Sequence, residues 1–455
     1  MMEKFLNWLE EKFMPPMARL AEQRHLKAVR DGVISTLPLI IVGSFFIIIA
    51  QPPVEALQEM VAPYVGDIMI PFRMTVGLMS VYAAYGMGYS LARSYKLDGV
   101  SGGVLSLATF LMMNVPLNVD GVINEAVEAG IEGAAPMGWV LPMGNLGGAG
   151  MFTAILSMIV AVEIMRFMTV KNFTLTMPEQ VPESVARSFE ALFPATVVII
   201  LAWIVRVMLN FDINELLMSI FSPLIEISGN NYFGVMLPVL LITLLWAAGI
   251  HGVSVIGSVM RPAWLIMLDA NIEAVAEGGS MTFGEGGLPY IAPEPFYQWL
   301  VWVGGAGATL ALAILFLFSK SVYLKQVGKF SIVPGIFNIN EPMIFGAPIV
   351  MNPILAIPFI LAPVVTTTIS YFAVRVGFVS GFTVMAPWTL PAPIGAWMAT
   401  GGSFAAVFLV LLNILVALAI YYPFFKVYEK KMIEEETEEV SNDSQTSKNT
   451  KTATA

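Results

Sequence analysis

The 455-residue chain contains no cysteine, which excludes structural disulfides, thiolate metal sites and a thiol phosphoryl carrier on this chain. Two histidines, His25 and His251, are too few for a histidine-rich metal centre, so no metal or other cofactor is expected. Charge is scarce too: Asp, Glu, Lys and Arg make up 12% of the residues, against about 25% in soluble domains. That deficit, with 57% hydrophobic residues and a mean hydropathy of +0.76, points to a polytopic membrane protein embedded in lipid. A net charge of −10 argues against nucleic acid as a partner. No cleavable secretory signal is expected. The segment 1–30 is instead amphipathic, with Phe5, Trp8, Leu9 and Phe13 apolar and Glu10, Arg19, Arg24 and Lys27 polar.

A membrane-crossing helix needs about 20 mostly apolar residues. Ten stretches approach that length: 33–50, 75–92, 100–116, 139–165, 191–209, 233–250, 252–268, 296–318, 353–374 and 404–425, with 252–268 the weakest. Their connections sort by sign. Arg30 precedes the first span, and Arg93 with Lys96, Arg166 with Lys171, Lys320 with Lys325 and Lys329, and Lys426 with Lys430 follow the second, fourth, eighth and tenth in turn. The alternate connections hold Glu55, Glu59 and Asp67, then Asp120, Glu125 and Glu128, then Asp269, Glu273, Glu285 and Glu294. Positive charge stays inside, which puts both termini in the cytoplasm.

Two stretches, 331–348 and 380–400, are apolar but punctuated by Pro and Gly. Interior prolines remove helix hydrogen bonds, so both read as re-entrant hairpins of the kind that build transporter sites near the midplane. The segment 170–188 is too polar to span and reads as a cytoplasmic amphipathic connector. The expected fold is all-α, with about ten transmembrane helices, two re-entrant hairpins and cytoplasmic amphipathic helices. Its expected divisions are an N-terminal half (1–178), a C-terminal half (179–432) and a disordered polar tail (433–455). No sequence repeat relates the halves.

The residues that carry chemistry are few. Glu341 lies in Phe337-Asn338-Ile339-Asn340-Glu341-Pro342, between apolar stretches. A carboxylate at membrane depth is expensive and marks a substrate or ion path. Capping of a half-helix is the competing explanation, although it leaves Asn338 and Asn340 unexplained. Their amides pair donors with acceptors, as vicinal sugar hydroxyls do. His251, set between Gly249 and Gly252, reads either as a functional group or as a buried neutral ring bonded to a carbonyl. Trp388 offers an apolar platform for a pyranose or an interfacial anchor. Asn145 and Asn230 are weaker binding candidates. Arg261 pairs with a carboxylate or lines the polar path, Glu163 and Arg206 snorkel from span ends, and His25 reads as a solvated surface residue. The glycine-rich runs 144–150 and 304–307 suit close helix packing.

The run from Phe337 through Asn340-Glu341-Pro342-Met343-Ile344-Phe345-Gly346-Ala347-Pro348 to Asn352-Pro353 resembles the IIC permease of the bacterial sugar phosphotransferase system, in its lactose/cellobiose/chitobiose branch. The stretch from Trp246 to Gly252 with His251, and Ala28-Val29-Arg30-Asp31-Gly32 with Leu37-Pro38, agree with it. The resemblance extends to about the end of the last span. It implies a homodimer in a bacterial cell membrane, with ten transmembrane helices and two re-entrant hairpins. The N-terminal half would form the dimer interface, and the C-terminal half would carry a β-linked disaccharide by an elevator motion. Glu341 and His251 would hold the sugar beside its 6-hydroxyl. A phosphocysteine on a separate IIB protein would phosphorylate that hydroxyl, with IIA, HPr and enzyme I upstream. The chain would then be a transporter subunit and not a self-sufficient enzyme, with no donor domain fused to it. Two rivals stay open on residues alone: an ion-coupled sugar transporter using Glu341 as the coupling carboxylate, and a membrane enzyme or sensor using His251 and Glu341 as an acid/base pair.

Overall fold

Backbone amides without water must bond within their own segment, so the apolar stretches fold as helices. The computed structural model describes residues 22–50, 52, 55–120, 138–175, 189–347, 349–350 and 352–452, with residues 12, 15, 16 and 19. In chain order its main helices are α1 (Arg24–Ala50), α2 (Met79–Ser94), α3 (Gly99–Met113), α4 (Met151–Val170), α5 (Leu192–Trp203), α6 (Ile213–Asn230), α7 (Tyr232–Ala247) and α8 (Gly252–Ala276). They continue as α9 (Leu310–Leu317), α10 (Val322–Ile336), α11 (Glu341–Gly346), α12 (Pro353–Arg375), α13 (Ala392–Ala399) and α14 (Phe404–Thr452). Leu117–Asn118 pairs antiparallel with Trp139–Val140.

Among the described residues six helices are long and apolar enough to cross a membrane, or seven if the pair α5 and α6, bent by 84°, is one span. The stretch 252–268, weakest by sequence, is one of the six, inside the 25-residue α8. Expected spans 100–116 and 233–250 are the shorter apolar helices α3 and α7. The expected span 139–165 begins with a strand and a loop, and its helix starts only at Met151. The expected span 296–318 breaks, because Gly304, Gly305, Gly307 and Ala308 all take positive φ. The second glycine run is therefore a chain reversal and not a helix-packing stripe. Neither Pro/Gly-rich stretch is a continuous helix. Residues 331–336 complete α10, with Pro334 in its last turn, whereas 380–400 passes from extended chain through a turn into α13. Most of the expected connector, 176–188, lies outside the described residues, as does most of 1–21.

Two compact units share the chain, one from 20–226 with 257–273 and the other from 227–256 with 274–455. This division differs from the expected boundary at 178/179, since α8 contributes to both units. In the first unit α2 and α3 cross on glycines. A Cβ on Gly102 would stand 2.4 Å from the Ala92 Cβ and 3.0 Å from the Gly88 carbonyl oxygen. We expect Gly102→Val to force these helices apart at about 1–3 kcal/mol or more, read as a lower melting temperature of the purified chain. Unchanged melting would show the crossing to be loose. Leu105, Ala161, Met165 and Val198 tie α3, α4 and α5 into one buried cluster.

Polar groups in this unit are more engaged than the sequence implies. Glu163 does not snorkel: it accepts from Tyr95 Oη (2.6 Å), pairs with His25 Nε2 (2.9 Å) and binds Arg166 Nη1 (2.9 Å). His25 is thus a partly buried tie between α1 and α4 and not a solvated residue. Burial raises the Tyr95 phenol above its usual range, and its bond to Glu163 adds to the rise. Arg206 donates to the Met113 carbonyl (3.1 Å) and pairs with Asp212 (3.1 Å). Arg261 is half-buried in α8. Asp269, expected in an acidic connection, sits inside α8 and accepts from the Gly148 N–H at 2.7 Å. The loop 144–150 is thereby held as a turn before α4, with Ser80 Oγ donating to the Gly147 carbonyl at 2.6 Å.

In the second unit α12 and α14 wrap the broken segment. Asn413 of α14 donates to the Leu300 carbonyl (2.8 Å) and pairs with Ser370 Oγ of α12 (2.9 Å), while Tyr421 Oη donates to the Gly307 carbonyl (2.7 Å). Glu294, also expected in an acidic loop, is buried. The last helix runs past residue 432. Glu429 accepts from Ser319 Oγ and the Lys320 N–H (2.8 and 2.7 Å), and Glu436 accepts from Ser321 Oγ and the Tyr323 N–H (2.6 and 2.9 Å). These glutamates seven residues apart fasten the start of α10, where a negative charge suits the exposed N–H groups.

Candidate functional site

Two helix ends build the site. At the end of α7, Gly249 takes φ +82°. Its N–H bonds the Trp246 carbonyl, while the Ile250 N–H reaches back to Leu245. At the end of α10, Asn338 takes φ +62°, its N–H bonds the Gly335 carbonyl and the Ile339 N–H bonds Pro334. Both are Schellman motifs, whose turning residue must be left-handed and is therefore glycine or asparagine. Each reversal is followed within three residues by an ionisable side chain: His251 before α8, and Glu341 at the first position of α11.

The two residues face each other. His251 Nε2 lies 4.0 Å from Glu341 Oε1, and both side chains are half-exposed. That separation is too long for a direct hydrogen bond. On its other side, His251 Nδ1 lies 3.2 Å from the Ser254 N–H and 2.9 Å from Ser254 Oγ. The indole of Trp246, buried at the end of α7, packs on the imidazole with ring centroids 4.3 Å apart.

The asparagines tie neighbouring segments together. Asn338 Nδ2 donates to the carbonyls of Trp388 and Leu390, both at 2.9 Å, and its Oδ1 accepts from the Gly304 N–H at 3.1 Å. Asn340 is buried and donates to the Ala306 carbonyl at 2.7 Å. Gly305 lies against it, for a Cβ there would stand 2.4 Å from Asn340 Cγ. Together these bonds lash the Glu341 loop to the 304–307 reversal and to the turn at 387–390. Trp388 is fixed through its carbonyl and keeps a half-exposed ring. Asn230 clasps another loop, donating to Pro289 O (2.9 Å) and accepting from the Ile291 N–H (3.2 Å). Asn145 belongs to the other unit. Of the seven sequence candidates, Glu341 and His251 are therefore brought together with exposed functional atoms. Sequence reasoning missed Trp246 and Ser254 as parts of the site. A serine three residues after a histidine that follows a helix-ending glycine was the available signal. Among the described residues no three His, Asp or Glu side chains converge as a metal site would.

An imidazole edge and a carboxylate, both half-exposed and facing each other across 4.0 Å, can hydrogen-bond a polyhydroxylated ligand. Comparison with known proteins agrees. The family described as "Phosphotransferase system, EIIC" matches residues 30–363. The cellobiose-specific EIIC component of Geobacillus stearothermophilus is 39% identical over 451 residues, covering 96% of each chain. The lichenan permease IIC component of Bacillus subtilis (strain 168) is 39% identical over 453 residues, again covering 96% of each. The solved structure of ChbC, the IIC component of the N,N'-diacetylchitobiose-specific phosphotransferase system, superposes with a TM-score of 0.85 at 37% identity, over 94% of this chain and 99% of that one. The match spans helices and site segments alike, and this chain belongs to the EIIC family of sugar phosphotransferase permeases.

Proposed function

We propose that this chain binds a β-linked disaccharide of the cellobiose or diacetylchitobiose type, carries it across the cell membrane and presents its 6-hydroxyl to a phosphocysteine on a separate IIB protein. The substrates named for its relatives support the sugar class. The observation that carries the reaction is the His251–Glu341 gap of 4.0 Å. A hydroxyl oxygen about 2.8 Å from each atom fits that gap, accepting from the imidazole N–H and donating to the carboxylate. The carboxylate then takes the proton as the oxygen attacks phosphorus. The O–P bond forms, the S–P bond breaks, and the electron pair leaves on the cysteine thiolate. Positioning and charge stabilisation supply most of the acceleration in phosphoryl transfer. Trp388, whose side chain is half-exposed, is the aromatic surface against which a pyranose would lie, while the buried Trp246 backs the imidazole.

The second unit, which holds both site residues, is the part that would travel in an elevator motion, and the first would form the homodimer interface. Positive charge flanking the spans supports cytoplasmic termini. Phosphate on the product disfavours its return, which makes uptake one-way. Cells carrying this chain together with a phosphorylatable IIB protein are expected to accumulate phosphorylated disaccharide, and to lose that product without IIB. Accumulation of free sugar that follows an ion gradient and ignores IIB would overturn the proposal.

A further inference from the structure

We propose that Ser254 is a positioning residue that holds His251 as its Nε2–H tautomer, so that the histidine can only donate at the reacting hydroxyl and Glu341 alone accepts the proton. This inference rests on the role proposed above for the pair.

The argument starts from a donor whose direction is fixed. A backbone N–H cannot accept, and the Ser254 N–H stands 3.2 Å from His251 Nδ1. Nδ1 must therefore present its lone pair, and a neutral imidazole that accepts at one nitrogen carries its proton on the other. That N–H is shared, since it also reaches the His251 carbonyl at 3.0 Å. A shared donor holds the ring weakly. The hydroxyl is closer, with Ser254 Oγ 2.9 Å from Nδ1, and once Nδ1 is an acceptor the hydroxyl must be the donor. The serine thus supplies two contacts that favour this tautomer, and the hydroxyl is the closer one.

The opposite edge of the ring gives independent support. Nε2 faces Glu341 Oε1 at 4.0 Å. A carboxylate opposite an N–H is attracted, whereas opposite a ring lone pair it is repelled. Both edges favour the same tautomer. The buried Trp246 indole, 4.3 Å away between centroids, limits tilting of the ring. With the other tautomer, Nε2 would compete with Glu341 for the hydroxyl proton and the sugar oxygen would lose its donor. Ser254 acts through His251, as outer partners of functional histidines commonly do.

The full chain offers a direct readout because it has two histidines. Ring nitrogen-15 spectra of the histidine-labelled protein in lipid nanodiscs would give one signal set for each, and His251→Gln identifies its own by loss. The wild-type spectrum is expected to place the proton of His251 on Nε2. Ser254→Ala should bring in the Nδ1–H form and slow phosphorylation by phosphorylated IIB about fivefold, the size of one ordinary hydrogen bond. Ser254→Thr, which keeps the hydroxyl, should restore both. A wild-type proton on Nδ1, or an unchanged tautomer in Ser254→Ala, overturns the inference whatever the rate does. The spectrum needs no turnover, so failure of the tautomer assignment is distinguishable from failure of the wild-type chain to support IIB-dependent phosphorylation.

Discussion

Glu341→Gln is expected to slow phosphorylation of bound sugar by roughly 10²–10⁴-fold, the range that a positioned acid or base contributes. The substitution keeps length, shape and a carbonyl acceptor, and replaces the charged, proton-accepting oxygen with a neutral amide donor. Sugar affinity should therefore change much less than turnover. Glu341 begins α11 and is half-exposed, so neutralising it leaves no buried charge unpaired elsewhere in the described fold. The measurement is single-turnover transfer from phosphorylated IIB to disaccharide on the reconstituted chain, alongside sugar binding by calorimetry. Transfer at the wild-type rate would remove Glu341 from the chemistry. Equal loss of binding and transfer would make it a ligand for the sugar and not its base.

Asn338→Leu should have the next largest effect, and on a different quantity. Leucine disfavours the left-handed conformation that Asn338 adopts at φ +62°. It also strips hydrogen bonds from the Trp388 and Leu390 carbonyls and from the Gly304 N–H. Leaving such groups unmatched costs about 1–3 kcal/mol each where they are buried. A loss of roughly 3 kcal/mol corresponds to a fall in melting temperature of about 10 °C for a domain of this size. Sugar binding should weaken at least about tenfold, since a small misplacement of a reacting group is enough for such losses. Asn338→Gly separates the two causes: it keeps the turn and loses only the side-chain bonds, so it should lie between leucine and wild type. A leucine variant with unchanged melting and binding would show that the Glu341 loop is held by something else.

The site was half legible in the chain. Glu341 and His251 stand out because an ionisable group amid apolar residues needs a reason. That Asn338 and Asn340 matter was legible, but their role was not. An amide that could meet a sugar hydroxyl could equally meet a peptide carbonyl, and which one lies nearby is decided by segments 34 to 52 residues away. Ser254 was missed for the opposite reason: a serine early in a helix is ordinary, and only the imidazole folded back over it makes it informative. Asp269 and Glu294 read as parts of acidic connections because the charge pattern counts acids by their place in the chain, whereas the fold buries Glu294 and aims the Gly148 N–H at Asp269.

Composition alone determined that this chain lives in lipid as helices, since little charge and long apolar runs leave the backbone no other way to satisfy itself. The Asn-Glu-Pro run and the lone histidine in an apolar stretch determined which residues to watch, and the family resemblance they carry was legible before any coordinates. Tertiary structure decided what the spans look like: where 296–318 breaks, where the helix after 139 begins, and how far α14 continues. The break rests on glycines of positive φ, one of which, Gly305, packs against Asn340. Tertiary structure also decided that His251 and Glu341 meet, 90 residues apart in sequence, because two helices end in the same left-handed turn and bring an ionisable residue that follows each to one point. Local physics makes each turn, and only their packing in one unit makes the pair.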